Sequence, residues 1–295
     1  MTSFKLFASL ILTATAASTL TAETHCPENS AGVLLQIVNR HQMIVPVSIN
    51  HTGPYNFLLD TGTQMTMVAP SLAESLHLST SGTVEVASAG VKALASLSQL
   101  DLIEAGAKSA ANAKVLVNDL TNLPATGLEI KGVLGEDFLE QFDMLIDNAH
   151  SELCLGEAGT MRPEMKGQHV ALLEPGTKNA APLAHSLIIS AKLSDGMRPV
   201  RLKLDSGANV PFLYDPSLLD IPQGGKRPVP GSRFAALPAQ TMKIGSVEVN
   251  HVSFITLAGV QKDKRTSDFD GLLTMGLFKR VFIDHADHFA VLEAW

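Results

Sequence analysis

Apolar residues fall along this chain in short runs, rich in valine and isoleucine and separated by turn residues, a spacing that predicts strands. Residues 33–38 and 43–49 are the first such runs. His51-Thr52-Gly53-Pro54 is turn chemistry, so residues 44–49 and 55–59 are expected to form a hairpin. A short strand at 65–68 leads to a short helix at 70–76, with Pro70 in its first turn and Leu72 and Leu76 on one side. Residues 83–86 and 91–97 flank Ala89-Gly90, which reads as a hairpin tip. Strands at 100–103 and 113–117 follow around Gly106. Gly132-Val133-Leu134-Gly135 then precedes a second short helix, and residues 144–147 and 152–155 form a further hairpin.

Residues 156–182 interrupt this pattern with glycine and proline, and only 169–173 hints at a strand. The order of features then begins again. Residues 187–193 and 199–204 pair around Asp195-Gly196, and 210–214 matches the strand at 65–68. Pro216-Ser217-Leu218 repeats Pro70-Ser71-Leu72, and Asp270-Gly271-Leu272-Leu273-Thr274 repeats Lys131-Gly132-Val133-Leu134-Gly135. Few identities survive, but a repeat of this length means two copies of one unit. We expect units at 33–156 and 183–295, with 157–182 as the linker.

Composition narrows what such a chain does. Hydrophobic residues make up 45% of 295 residues and charged ones 17%, ample for a core and too few charges for a disordered or nucleic-acid-binding chain. A formal net charge of -7 argues against a polyanionic partner. Lys5, the apolar or small run 6–17 and Leu20-Thr21-Ala22 form the pattern of a cleaved leader over 1–22. The expectation is an exported protein, secreted or periplasmic, with no membrane association after the leader is removed. Cys26 and Cys154 are too few for a zinc site; they are read as one disulfide or as two free buried thiols. Asp284, His285, Asp287 and His288 crowd one turn, where such residues are more often solvent-facing than metal-binding.

The candidate chemistry stands where the second strand of each hairpin ends. Residues 57–59 run into Asp60-Thr61-Gly62, and residues 200–204 into Asp205-Ser206-Gly207. The strand gives the carboxylate a rigid base, and glycine allows an immediate sharp turn with room for a close approach. The hydroxyl can bind surrounding backbone. Aspartate is common in turns, so one such tripeptide carries little; two, in matching contexts, carry far more. If the carboxylates stand a few ångströms apart they cannot both ionise readily, and one stays protonated as an acid while the other serves as a base.

These residues resemble those of the aspartic peptidases, specifically the retropepsin-like families, with both lobes in tandem in one chain. The resemblance covers most of the sequence after the first thirty residues. It implies an all-β fold of two closed lobes, six to seven strands each, related by a pseudo-two-fold axis, with short helices. It makes Asp60 and Asp205 the catalytic pair, with Thr61, Gly62, Ser206 and Gly207 supporting the loops and Ala89 and Gly90 at the tip of a substrate-covering flap. Gly132 to Gly135 would pack beneath the first loop. It implies an aspartic endopeptidase acting on a peptide or protein as a monomer, with no metal or organic cofactor. The alternatives are a non-catalytic peptide-binding module of the same fold, or a peptidase that pairs two first lobes. It also sets the N-terminal strand beside the closing strands of its lobe, which predicts a Cys26–Cys154 bond. The departure is Thr274, which stands where the first copy has Gly135 and whose β-carbon is expected to push against the Asp205 loop.

Overall fold

The computed structural model describes residues 25–88, 91–121, 123, 126–174, 187–221, 225–258 and 268–295. The expected leader at 1–22, the expected hairpin tip Ala89-Gly90 and residues 175–182 of the expected linker lie outside them. Strands account for 52% of the structure, and its two α-helices, Pro70–Ser75 and Glu136–Leu139, are short. The fold is all-β. Among the described residues no helix is long and apolar enough to cross a membrane.

Three sheets carry the chain. The first has eight strands, all between residues 36 and 134, and closes on itself where Val47, Ser48 and Ile49 pair with Ala105, Glu104 and Ile103. Closure removes an exposed edge. Along Gln42–Ile49, the alternate residues Met43, Val45, Val47 and Ile49 turn into the core, and Phe57 and Leu59 of the neighbouring Thr52–Leu59 meet them there. The second sheet has nine strands, all between residues 188 and 274. It repeats the pairing of the first. Thr52–Leu59 runs parallel to Gly132–Leu134, which lies antiparallel to Met67–Val68; Val200–Asp205 runs parallel to Gly271–Thr274, which lies antiparallel to Phe212–Leu213.

The third sheet departs from the sequence expectation. The hairpin at 144–147 and 152–155 does not close its own half: Asp143–Asp147 pairs with Phe278–Asp284, so residues from both ends of the chain build one six-stranded sheet. Every residue of Asp143–Asp147 and of Glu152–Gly156 is buried, and a strand without a solvent face needs cover on both sides and a neighbour at each edge. Residues 33–38 also divide. Ser30–Leu34 joins the six-stranded sheet beside Glu152–Gly156, whereas Gln36–Val38 joins the eight-stranded one. Six to seven strands per unit was therefore too few, because pieces such as Arg227–Pro228 and Phe234–Ala236 are too short to show alternation. A continuous core runs through residues of both halves, from Val33 to Leu292. Cys26 is bonded to Cys154 with Cα atoms 5.5 Å apart, fastening the N-terminal stretch to the six-stranded sheet.

Candidate active site

Asp60 follows the strand Thr52–Leu59, and its amide donates to the Leu134 carbonyl at 3.0 Å. The chain then turns back on the carboxylate. Asp60 Oδ1 accepts from the amides of Gly62 at 2.8 Å and Thr63 at 3.1 Å, and Oδ2 from the Thr63 hydroxyl at 2.8 Å. Asp205 ends the strand Val200–Asp205 in the same manner: its Oδ1 accepts from the amides of Gly207 and Ala208, both at 2.9 Å. Alanine at 208 leaves Asp205 without the hydroxyl donor that Thr63 gives Asp60.

Thr61 and Ser206 lock the two loops together. The Thr61 amide donates to Ser206 Oγ at 3.0 Å, and the Ser206 amide donates to Thr61 Oγ1 at 3.1 Å. Each hydroxyl also donates across to the opposite strand, Thr61 to the Leu204 carbonyl at 3.0 Å and Ser206 to the Leu59 carbonyl at 2.9 Å. Both side chains are fully buried, so every donor and acceptor here must be matched internally, and each is. The glycines complete the reciprocity. A β-carbon on Gly62 would lie 2.6 Å from the Asp205 carboxyl carbon, and one on Gly207 would lie 2.5 Å from that of Asp60. Each carboxylate therefore rests over the other loop's glycine, at a separation no larger residue permits.

This crowding decides the charge. Burial first, and then the negative charge of Asp60, push the Asp205 carboxyl up to about 7; Lys203 and the two amides pull the other way without prevailing.

The layer beneath the first loop is polar and ordered. Gly135 donates to Thr66 Oγ1 at 3.1 Å, and Glu136 and Asp137 donate through their amides to the carbonyls of Thr63 and Gln64. A β-carbon on Gly135 would meet Met65 backbone at 2.8 Å, so glycine is required there. Thr274 creates no such conflict. It pairs in register with Asp205, is fully buried, and accepts from the Gly276 amide to cap the short helix Met275–Leu277. The expected steric push is corrected: the Thr274 strand stays in register with Asp205, and the chain after it turns into a helix that Thr274 caps.

Three charged residues near the pair escaped the sequence reading. Lys203 is buried and donates to the Gly62 carbonyl at 2.7 Å. Glu136 is buried, and His285 Nε2 lies 3.2 Å from its Oε2 while His285 Nδ1 lies 2.8 Å from the Phe142 carbonyl oxygen. Burial raises Glu136 above the ordinary carboxylate range. For His285, burial opposes the charged ring, but Glu136 and the Phe142 carbonyl outweigh it and raise its pKa. Period-two alternation along 200–205 does put Lys203 on the face of Asp205, a signal the sequence carried. Nothing in the sequence pointed from Glu136 to His285, which are 149 residues apart.

The turn at 284–288 is also corrected. Asp284 and His285 are buried rather than solvent-facing, because Asp284 accepts from Arg162 Nε at 2.7 Å and Nη2 at 2.6 Å while His285 is held by Glu136. Among the described residues, the group of possible metal ligands drawn together is Cys26, Glu152 and Cys154, whose sulfurs the disulfide consumes. The hairpin strands Thr80–Ser88 and Val91–Ala105 are paired to their ends, but the tip residues Ala89 and Gly90 lie outside the described residues.

Residues 45–138 match the family model described as aspartyl protease. The match takes in Asp60, the Gly62 turn and the Gly135 layer, and it supports an aspartyl protease family and a peptidase activity. Asp205 and its surroundings lie outside the matched span. No curated protein matches the chain.

Proposed function

We propose that the protein is an exported aspartic endopeptidase whose two halves, 33–156 and 183–295, act as lobes of one active unit in a monomer. The observation that carries this is the reciprocal locking of the Asp60 and Asp205 loops through Thr61 and Ser206, with each carboxylate set over the other loop's glycine.

The hydrogen bonds support distinct roles. Asp60 receives three donors, one of them a hydroxyl, and is assigned the role of base; Asp205 receives two and holds its proton to about 7. A water held between them attacks the scissile carbonyl carbon as Asp60 takes its proton. Asp205 gives its own proton to the carbonyl oxygen, producing a tetrahedral diol. In the second half-reaction Asp60 returns a proton to the leaving nitrogen and Asp205 takes one from a diol hydroxyl, so the C–N bond breaks and both carboxyls regain their starting states. No cofactor enters these steps. The hairpin whose tip is Ala89-Gly90 covers an extended peptide substrate, and export accounts for a leader at 1–22 together with a disulfide.

The test is digestion of an unfolded protein across pH by wild type, Asp60→Asn and Asp205→Asn. Each substitution keeps shape but ends proton exchange, so each should lose on the order of a thousandfold or more, with the double variant little worse. Wild-type cleavage should fall as pH rises through about 7, where the shared proton is lost. Near-full activity in Asp205→Asn as a monomer overturns the two-half reading, and peptide binding without cleavage by wild type makes the protein a binding module.

A further inference from the structure

Lys203 stands two residues before Asp205 on Val200–Asp205, so both side chains leave the same face of the sheet. Leu202 and Leu204, on the other face, fill the core. The equivalent position in the first half is Leu58: it pairs with Val133 in parallel, as Lys203 pairs with Leu272, and it sits among Ile44 and Val133 in an apolar cluster. Packing alone is thus satisfied by leucine. A buried ammonium is unfavourable unless charge and hydrogen bonds compensate it. Lys203 has one hydrogen bond, to the carbonyl of Gly62 beside Asp60, and makes no ion pair among the described residues.

The charges that face it are few. On its own strand there is Asp205, against which Asp60 stands from the opposing loop. From the helix Glu136–Leu139 comes Glu136, with His285 against it and Glu140 next along. The flanking strands offer Ile188 and Leu272 opposite Lys203, neither charged. Arg201 shares its face, but the guanidinium is held by the carbonyls of Asp268 and Glu174.

We propose, resting on the peptidase reading above, that Lys203 is a positioning residue for the carboxylate pair: its ammonium ties the Asp60 loop to the Asp205 strand and, as a fixed positive charge, sets the pH range over which the pair holds a single proton. A neighbouring cation favours the ionised forms, so it lowers both steps in which the pair releases a proton. The working range of the enzyme is thereby moved toward acid.

The pair is read directly by the 13Cγ resonances of labelled aspartate in the full chain, titrated from acid to neutral pH and assigned with Asp60→Asn and Asp205→Asn. In Lys203→Gln, which keeps a donor for the Gly62 carbonyl but drops the charge, both steps should move up by about one pH unit. Both limbs of the cleavage profile should follow, while Lys203→Arg stays near wild type. Should Lys203→Gln fail to fold, Lys203→Leu carries the same expectation with the residue that the first half uses. A natively folded neutral variant that titrates like wild type overturns the proposal. A wild type that cleaves nothing overturns the peptidase reading instead, and the resonances still decide the role of Lys203.

Discussion

Asp205 is buried by a fold that keeps it protonated, and this has a measurable effect on stability. Its carboxyl rises from an ordinary 3.8 to about 7 in the folded state, through burial first and then the charge of Asp60. Between those values the folded chain holds a proton that the unfolded chain releases. Stability is therefore fully present below about 4 and is lost as pH rises through about 7. Over roughly three units, at about 1.36 kcal/mol each, the loss reaches about 4 kcal/mol. Asp205→Asn removes the titration while its amide oxygen still accepts from Gly207 and Ala208. Above neutrality this variant should exceed wild type in stability by up to about 4 kcal/mol, and the gap should close below about pH 4. Urea unfolding of both proteins, followed by circular dichroism at a series of pH values, reads the difference. A stability difference that does not change with pH would refute the reasoning.

Two further outcomes can be checked on the same instruments. The Cys26–Cys154 bond spans 128 residues, so replacing both cysteines should lower unfolding stability by about 5 kcal/mol in the chain-entropy model; a loss under about 1 kcal/mol would contradict it. Thr274→Gly removes the cap on Gly276 and loosens the backbone, which should cost about 1–2 kcal/mol and leave cleavage no faster; a more active variant would restore the steric objection to threonine.

The sequence disclosed what local chemistry determines. The Asp60 and Asp205 tripeptides stand at strand ends, where an apolar run meets a glycine turn, and the repeated order of features from 187 onward corresponds to the repeated pairing of the two large sheets. It did not disclose the six-stranded sheet, because pairing Met144 with Ile283 joins segments 139 residues apart, and nothing local in either points to the other. Asp284 and His285 were misread for a related reason: polar residues in a turn are exposed by default, and only Arg162 and Glu136, far off in sequence, make their burial tolerable. The concern over Thr274 came from aligning it with Gly135 as though the following chain were the same. Gly135 begins an α-helix against Met65 backbone, whereas Thr274 caps a tighter 3₁₀ turn and keeps its register with Asp205.

Around the two carboxylates the halves differ at several matched positions, and the differences do not all point one way. Thr63 gives Asp60 a hydroxyl donor that Ala208 withholds from Asp205. Lys203 in place of Leu58 works the other way for Asp205, since its charge lies on the same strand and favours the ionised form there. Burial and the charge of Asp60 still prevail, leaving Asp205 at about 7. Thr274 in place of Gly135 leaves the Asp205 strand paired in register to its end. A decaying copy would be expected to lose donors and pairing together. Here Ser206 and Gly207 keep every cross-loop contact and Thr274 keeps its register with Asp205, so the second half retains an intact frame, and on the peptidase reading proposed above Ala208 and Lys203 are where the surroundings of the two carboxyls differ.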